Sequence, residues 1–217
     1  MGVWVEKILN LVYPTFTNCV GCFEKIEHGK ICPSCLDDIS FNKTKDKKSF
    51  ENFDAYYATY YSGSIKNILY NFKVHKDFKS GEFLGEILRD YIKDIGVKFD
   101  YLTYVPRDRD KIKKEGFDQS YFLCKVLNRS LNIPILKIIT CKGKKFDQKQ
   151  MNMYSRETNV KGKFFLTKDI SNLTGKNLLI IDDVSTTYST LKEVSNVIRK
   201  TNDKTKLTIL TIAKTLI

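Results

Sequence analysis

The chain has 217 residues, 42% hydrophobic and 29% charged, with only 11 Gly and 4 Pro; this is room for one domain plus a small module, and it excludes a disordered or collagen-like chain. Lys and Arg number 37 against 25 acidic residues, a net charge of +12, which favours a polyanionic partner such as nucleic acid or a phosphorylated small molecule. Because 31 of those cations are Lys and only 6 are Arg, the excess points to non-specific phosphate attraction and not to base reading, for which Arg is the usual residue.

Trp4, Ile8, Leu11 and Val12 recur at helical spacing and predict a short amphipathic helix before Pro14. Glu6, Lys7 and Asn10 interrupt its apolar character and no small-residue cleavage site follows, so no signal peptide is read and a cytoplasmic protein is expected. No run of about 18 apolar residues predicts a membrane span.

Four of the six cysteines then fall into one pattern: Cys19-Val20-Gly21-Cys22, nine intervening residues, and Cys32-Pro33-Ser34-Cys35. Two such knuckles in a short segment bring four thiolates onto one tetrahedral ion, each at about 2.3 Å, and a site filled by four Cys has no open position for catalysis. The expectation is structural zinc. The alternatives are disulfides, disfavoured in a reducing compartment, and a redox pair, which needs a single CxxC in another context. Cys124 sits in the apolar pattern Phe117, Tyr121, Phe122, Val126, Leu127 and reads as a buried small side chain. His28 lies between the knuckles, and His75 reads as part of a solvated turn.

Asn42 to Lys48 holds four Lys and little apolar content, and reads as a linker. The domain division expected is therefore 1–48 for the N-terminal helix and four-Cys module, and 49–217 for the rest. Phe53 to Tyr61 predicts a strand. Ser62 is placed to cap a helix carrying Ile65, Ile68, Leu69 and Phe72, and a second helix carries Phe83, Leu84, Ile87, Leu88, Tyr91 and Ile92. Tyr101 to Val105 predicts a strand ended by Pro106, Gln119 to Leu131 a helix, and Ile133 to Ile139 a strand. Cys141 to Asn159 is long, polar and basic. Asn177 to Ile181 is an apolar strand, followed by a helix with Leu191, Val194, Val197 and Ile198 and a last strand over Leu207 to Ile212. Strands alternating with helices predict an α/β domain with a mostly parallel sheet.

The segment richest in chemistry follows that apolar strand: Asp182-Asp183-Val184-Ser185-Thr186-Thr187-Tyr188-Ser189-Thr190. Ligands of open α/β sheets bind beyond the carboxyl ends of the strands. There a helix N-terminus offers unpaired N–H groups and the hydroxyls of Ser185, Thr186, Thr187, Ser189 and Thr190 add donors, which together suit a phosphate. The two carboxylates just upstream suit ribose hydroxyls or a bridging magnesium ion. Phosphate beside a diol is a phosphoribosyl group.

On these residues the segment resembles the phosphoribosyl-pyrophosphate loop of type I phosphoribosyltransferases, and the whole chain resembles the ComF family (ComFC type) of DNA-uptake competence proteins. Further matches are Tyr13-Pro14 with the two knuckles, Tyr61-Ser62-Gly63 with Lys73, Val105-Pro106, Lys111 to Gln119, Gln148 to Asn159, and Lys161-Gly162-Lys163-Phe164. The resemblance implies a type I phosphoribosyltransferase-like fold in which Asp182 and Asp183 contact the ribose hydroxyls. It implies that Thr186, Thr187, Tyr188, Ser189 and Thr190 hold the 5′-phosphate, that Arg107, with Arg109, supplies positive charge for pyrophosphate, and that magnesium accompanies phosphoribosyl pyrophosphate. Gln119, Arg156 and Asn159 match positions near the cleft.

Three departures stand out. Tyr188 replaces a loop Gly, and a non-Gly residue held at positive φ there would cost about 1–2 kcal/mol. Glu115 and Asp118 stand where the family motif carries Arg and Asn, and would put negative charge near an anion site. The function implied is handling of single-stranded DNA during natural transformation, with helicase or channel proteins as further partners; the alternative is phosphoribosyl transfer to another acceptor. The basic segments Lys43 to Lys48, Lys111 to Lys114 and Lys137 to Lys149, interleaved with Phe117, Phe146 and Tyr154, suit single-strand binding.

Overall fold

The computed structural model describes residues 17–41, 43–44, 46–141, 162–185 and 188–215. The expected helix over 1–14 and the basic stretch 142–159 lie outside the described residues, as do Thr186 and Thr187.

Two short strands, β1 (Thr17–Asn18) and β2 (Lys25–Ile26), and a helix, α1 (Pro33–Phe41), carry the cysteines. The main sheet follows. Its strands are β3 (Lys47–Ser49), β4 (Asp54–Tyr60), β5 (Tyr101–Tyr104), β8 (Asn177–Ser185) and β9 (Lys206–Lys214), in the spatial order β3-β4-β9-β8-β5. The last four are mutually parallel and β3 is antiparallel to β4. Helices α2 (Gly63–Val74) and α3 (Phe78–Ile95) connect β4 to β5. Helices α4 (Arg109–Glu115) and α5 (Gln119–Leu131) and a small hairpin, β6 (Ile139–Cys141) with β7 (Phe164–Leu166), lie between β5 and β8; α6 (Ser189–Thr201) joins β8 to β9.

The layering follows from the strand period of two. On β8, Leu179 and Ile181 pack with Ile68 and Phe72 of α2, Leu84 and Leu88 of α3, and Leu123 and Leu127 of α5. Leu178 and Ile180, the alternate residues, pack with Leu191, Val194 and Ile198 of α6 and with Phe164. A strand covered on both faces has no place for a polar residue until it leaves the layers, which is why its first carboxylates come at its carboxyl end. α3 and α5 approach closely because Gly85 has no side chain: a Cβ there would overlap Val126.

Two expectations change. Asn42 to Lys48 is not a free linker. Lys43 bridges Thr59, Thr44 is buried, and Lys47–Ser49 pairs with β4 as the edge strand. Lys43, Lys47 and Lys48 suit such an edge because charge there discourages pairing with another chain. Ile133 to Ile139 is not one strand either. Pro134 has no N–H to donate, so only Ile135 bridges Leu102, and the regular pairing starts at Ile139, in the hairpin outside the main sheet.

The four-Cys module packs directly on this domain. Val20 and Ile39 belong to the same buried cluster as α2 and α3, Asn71 Nδ2 donates to the Val20 carbonyl at 3.0 Å, and Lys30 pairs with Glu86 at 2.6 Å.

Candidate functional site

Cys19, Cys22, Cys32 and Cys35 bring their sulfurs within 4.8 Å of one another, Cys22 exposed and the other three buried. Backbone N–H groups point at two of them, while burial pushes the Cys35 thiol up to about 12. Cys19 Sγ accepts from the N–H of Gly21 and of Cys32, both at 3.3 Å, and Cys32 Sγ accepts from the Cys35 N–H at 3.5 Å. Burial alone would push the Cys19 thiol up; the N–H groups of Cys32, Cys22 and Gly21 outweigh it and bring it down to about 7. Gly21 is required by space, since a Cβ there would stand 2.9 Å from Cys35 Sγ. Four converging sulfurs, two of them accepting backbone N–H bonds, are the donor set of a tetrahedral soft-metal site, and zinc fits it. His28 is exposed and lies outside the cluster.

Parallel strands place their carboxyl ends on one edge of the sheet, and the second cluster forms there. β8 carries Asp182 and Asp183 among its last four residues, and β5 leads through Val105-Pro106 to Arg107; the Val105 N–H to Ile181 carbonyl bond of 3.0 Å holds the two ends together. Asp183 is buried and doubly paired, to Lys73 Nζ at the end of α2 and to Arg107 Nη2, each at 2.8 Å. Burial would raise its carboxyl, but Lys73 and Arg107 outweigh that and hold it below the usual range. Asp182 is only partly buried and has no ion pair among the described residues. It accepts from Ser120 Oγ at 3.3 Å and from the Asp183 N–H at 2.9 Å. Burial, with the Asp183 charge beside it, pushes the Asp182 carboxyl up to about 8. The two adjacent carboxyls are thus pushed in opposite directions, which is the behaviour expected of like charges sharing a site.

Glu115 and Asp118 do not face the cleft as loose negative charges. Glu115 accepts from Arg107 Nη1 at 2.6 Å and from Gln119 Nε2 at 2.9 Å, so it props the guanidinium. Asp118 caps α5 by accepting from the Tyr121 N–H at 3.0 Å, and its other oxygen takes the Arg107 N–H at 3.1 Å. Neither residue is therefore the unpaired negative charge expected from its place in the motif. The signal available was the N-cap position of Asp118, one residue before a helical pattern.

Tyr188 departs from expectation as well. It sits at φ −75°, ψ 0°, so no left-handed conformation strains it, and its ring turns onto Phe50 and Tyr57 at centroid distances of 5.1 and 6.3 Å. Ser189 opens α6, with Thr190 in its first turn. Arg107, Gln119, Asp182 and Asp183 are therefore brought together at one edge, with Lys73, Ser120 and Glu115 added to them. Arg156 and Asn159 lie outside the described residues.

The fold and its two clusters define an α/β protein with a parallel-rich sheet, an acidic strand-end site flanked by cations, and a four-thiol module. No protein-family model matches the chain. Over 194 residues it is 25% identical to the protein named Competence protein F of Haemophilus influenzae, which spans 84% of each chain. Over 200 residues it is 24% identical to Competence protein ComFC of Bacillus subtilis, covering 85% of this chain and 79% of that one. The resemblance to the ComF family read from the motifs thus extends over most of the chain. Among solved structures it is similar to the adenine phosphoribosyltransferase of Thermoanaerobacter pseudethanolicus, at 17% identity and a TM-score of 0.41, covering 82% of this chain and 99% of that one.

Proposed function

We propose that this protein is a ComF-type competence factor that handles single-stranded DNA, and that the carboxyl end of β8 binds the phosphoribosyl group of phosphoribosyl pyrophosphate. The observation that carries the pocket reading is the pair Asp182-Asp183 at the end of a buried parallel strand, a few residues before the N-terminus of α6 and flanked by Lys73 and Arg107. In this reading the two carboxylates accept from the ribose hydroxyls. Ser185 to Thr190, with the first amides of α6, take the 5′-phosphate, and Arg107 takes pyrophosphate.

The donor set suits magnesium brought in with the pyrophosphate, since Asp182 is a carboxylate without a cation of its own among the described residues. That ion would supply charge neutralisation of the diphosphate. Asp183, Lys73 and Arg107 form a preset charge frame in which both cations are already paired with a carboxylate, and an incoming diphosphate competes with Asp183 and Glu115 for Arg107. In the four-Cys module, zinc would serve the fold alone.

The DNA half of the reading is supported by the net charge of +12 and by the names of the two curated relatives. Lys111, Lys113 and Lys114 lie on α4, next to Arg107 in sequence.

Isothermal calorimetry with phosphoribosyl pyrophosphate and magnesium tests the pocket. The expected result is saturable binding by wild type that Asp182→Asn/Asp183→Asn abolishes; a wild type that releases no heat removes the pocket reading. Titration of a single-stranded oligonucleotide at two salt concentrations tests the other half, since phosphate contacts demand weaker binding at higher salt.

A further inference from the structure

Single-strand binding without sequence preference needs base-sized ring faces as well as cations. Of the aromatics interleaved with the basic segments, the one among the described residues, Phe117, does not supply them. Phe117 is packed edge-on against Phe72 and Phe78 at 5.1 and 5.4 Å, and Phe146 and Tyr154 lie outside the described residues.

A different cluster has the required composition. The β3–β4 turn closes through a Phe50 N–H to Phe53 carbonyl bond of 2.9 Å, which stacks Phe50 on Phe53 with centroids 4.5 Å apart and planes 19° from parallel. Phe50 also meets Tyr188 at the start of α6, at 5.1 Å. Lys192, one turn into α6, sets its ammonium 5.4 Å from the Phe50 ring, and Lys48 on β3 lies 4.3 Å from the Tyr188 ring and 5.6 Å from that of Phe50. Both lysines are exposed and both rings half-buried. An open cavity of about 310 Å³ runs beside Phe50 and Lys192, with Asn52, Ser195 and Asn196 as polar lining and Glu51 as its one carboxylate.

The ion pairing around the two lysines decides what this surface suits. The neighbouring Lys47 and Lys214 are paired with Asp54 and Asp46 at 3.0 and 3.7 Å. Lys48 and Lys192 have no carboxylate partner among the described residues; only the rings hold them. Exposed cation–π contacts are weak, so an ammonium exchanges a ring face readily for a phosphate, and in doing so uncovers the ring.

We infer that Lys48, Phe50, Tyr188 and Lys192 form a stacking platform for single-stranded DNA, the lysines taking backbone phosphates and the rings taking bases. The inference rests on the DNA-handling reading and adds the place where the strand lies: along the β3 edge and the first turns of α6.

Fluorescence anisotropy with a labelled single-stranded oligonucleotide, and with a duplex of equal length, tests it on the full chain. Phe50→Leu keeps the apolar contact with Phe53 and is expected to weaken single-strand binding on the order of tenfold. Lys48→Ala/Lys192→Ala lies on the surface and exposes no core; it is expected to flatten the slope of log affinity against log salt by about 1.4, near 0.7 per phosphate contact. Duplex DNA, whose bases are already stacked, is expected to bind more weakly and to be indifferent to Phe50→Leu. Wild-type affinity and slope in both variants overturn the platform while the DNA reading stands. A wild type that does not bind single strands at low salt removes the DNA reading and the platform with it. Calorimetry with phosphoribosyl pyrophosphate on the same variants is expected to match wild type; a loss there would place these residues in the sugar-phosphate pocket and overturn the assignment.

Discussion

Arg107 and Asp183 stand 76 positions apart in the chain and meet at 2.8 Å, tying the end of β5 to the end of β8. The pair is not isolated. Lys73 holds the same Asp183 oxygen from α2, and Glu115 and Asp118 hold Arg107 by its side chain and its backbone N–H. Two connections of the fold, β4 to β5 and β5 to β8, therefore converge on one carboxylate.

That convergence predicts a cost for Asp183→Asn. The amide cannot neutralise Lys73 and Arg107, and two half-buried cations are left facing each other. A loss of about 1.5–3 kcal/mol in unfolding free energy is expected, the range for hydrogen bonds to charged groups, read as a lower urea midpoint at unchanged slope. Arg107→Lys should cost stability too, because an ammonium lacks the planar fork that reaches Asp183 and Glu115 together. Equal midpoints for wild type and both variants would mean the network carries no stability.

Asp182 gives a pH signature. Its carboxyl is raised from the ordinary 3.8 to about 8. A carboxyl with a raised folded value binds its proton more tightly in the folded state, so its favourable contribution is complete below about 3.8 and is lost as pH rises toward 8. Asp183 is lowered and acts in the opposite sense, its contribution present above 3.8 and lost only at lower pH. Between pH 5 and 8.5 the Asp182 term dominates. Asp182→Asn should therefore gain stability relative to wild type as pH rises across that window, and a flat difference would contradict the assignment. In wild type, binding of magnesium with phosphoribosyl pyrophosphate should strengthen over the same window, as Asp182 becomes anionic.

Much of this arrangement was legible in the residue order. The two-sided apolar run Leu178 to Ile181 announced a buried parallel strand, and the change to Asp182-Asp183 marked where it leaves the layers. Helix α5 was legible end to end, from Gln119 to Leu131. Helix α4 was not, because its single apolar residue, Ile112, shows no period; only Asp108 before it and Gly116 after it, at φ 85°, mark its ends. Strand β3 was obscured by its lysines, whose polarity serves an edge as well as it serves a loop. The partners of Glu115 and Asp118 were illegible for a different reason: charge in a sequence has a sign and no direction, and only the turn after Pro106 shows that Arg107 comes back to meet them.

Zinc removal should reach beyond the module. Val20 and Ile39 lie in the main core and Asn71 bonds the Val20 carbonyl, so a collapsed knuckle would withdraw two apolar side chains from under α2. Cys19→Ser is expected to abolish stoichiometric zinc by elemental analysis and to lower the melting temperature of the whole chain in a single transition. A strong chelator should do the same to wild type, entering where Cys22 is exposed. An unchanged zinc content in Cys19→Ser would refute the ligand assignment, and an unchanged melting temperature would show that the module is stable without its metal.

Tyr188→Gly separates the conformational and packing roles of that position. At φ −75° the backbone needs no glycine, so restoring one relieves no strain and adds unfolded-state freedom at the start of α6. It also removes the ring from Phe50, Tyr57 and Lys48. The variant should lose about 1 kcal/mol or more of stability, seen in chemical denaturation. Because the ring packs on the α6 side of the sheet, affinity for phosphoribosyl pyrophosphate should not improve. A tighter pocket in the glycine variant would show that the Tyr188 ring obstructs the phosphate after all, and that the chain has traded affinity at this loop for the contact with Phe50.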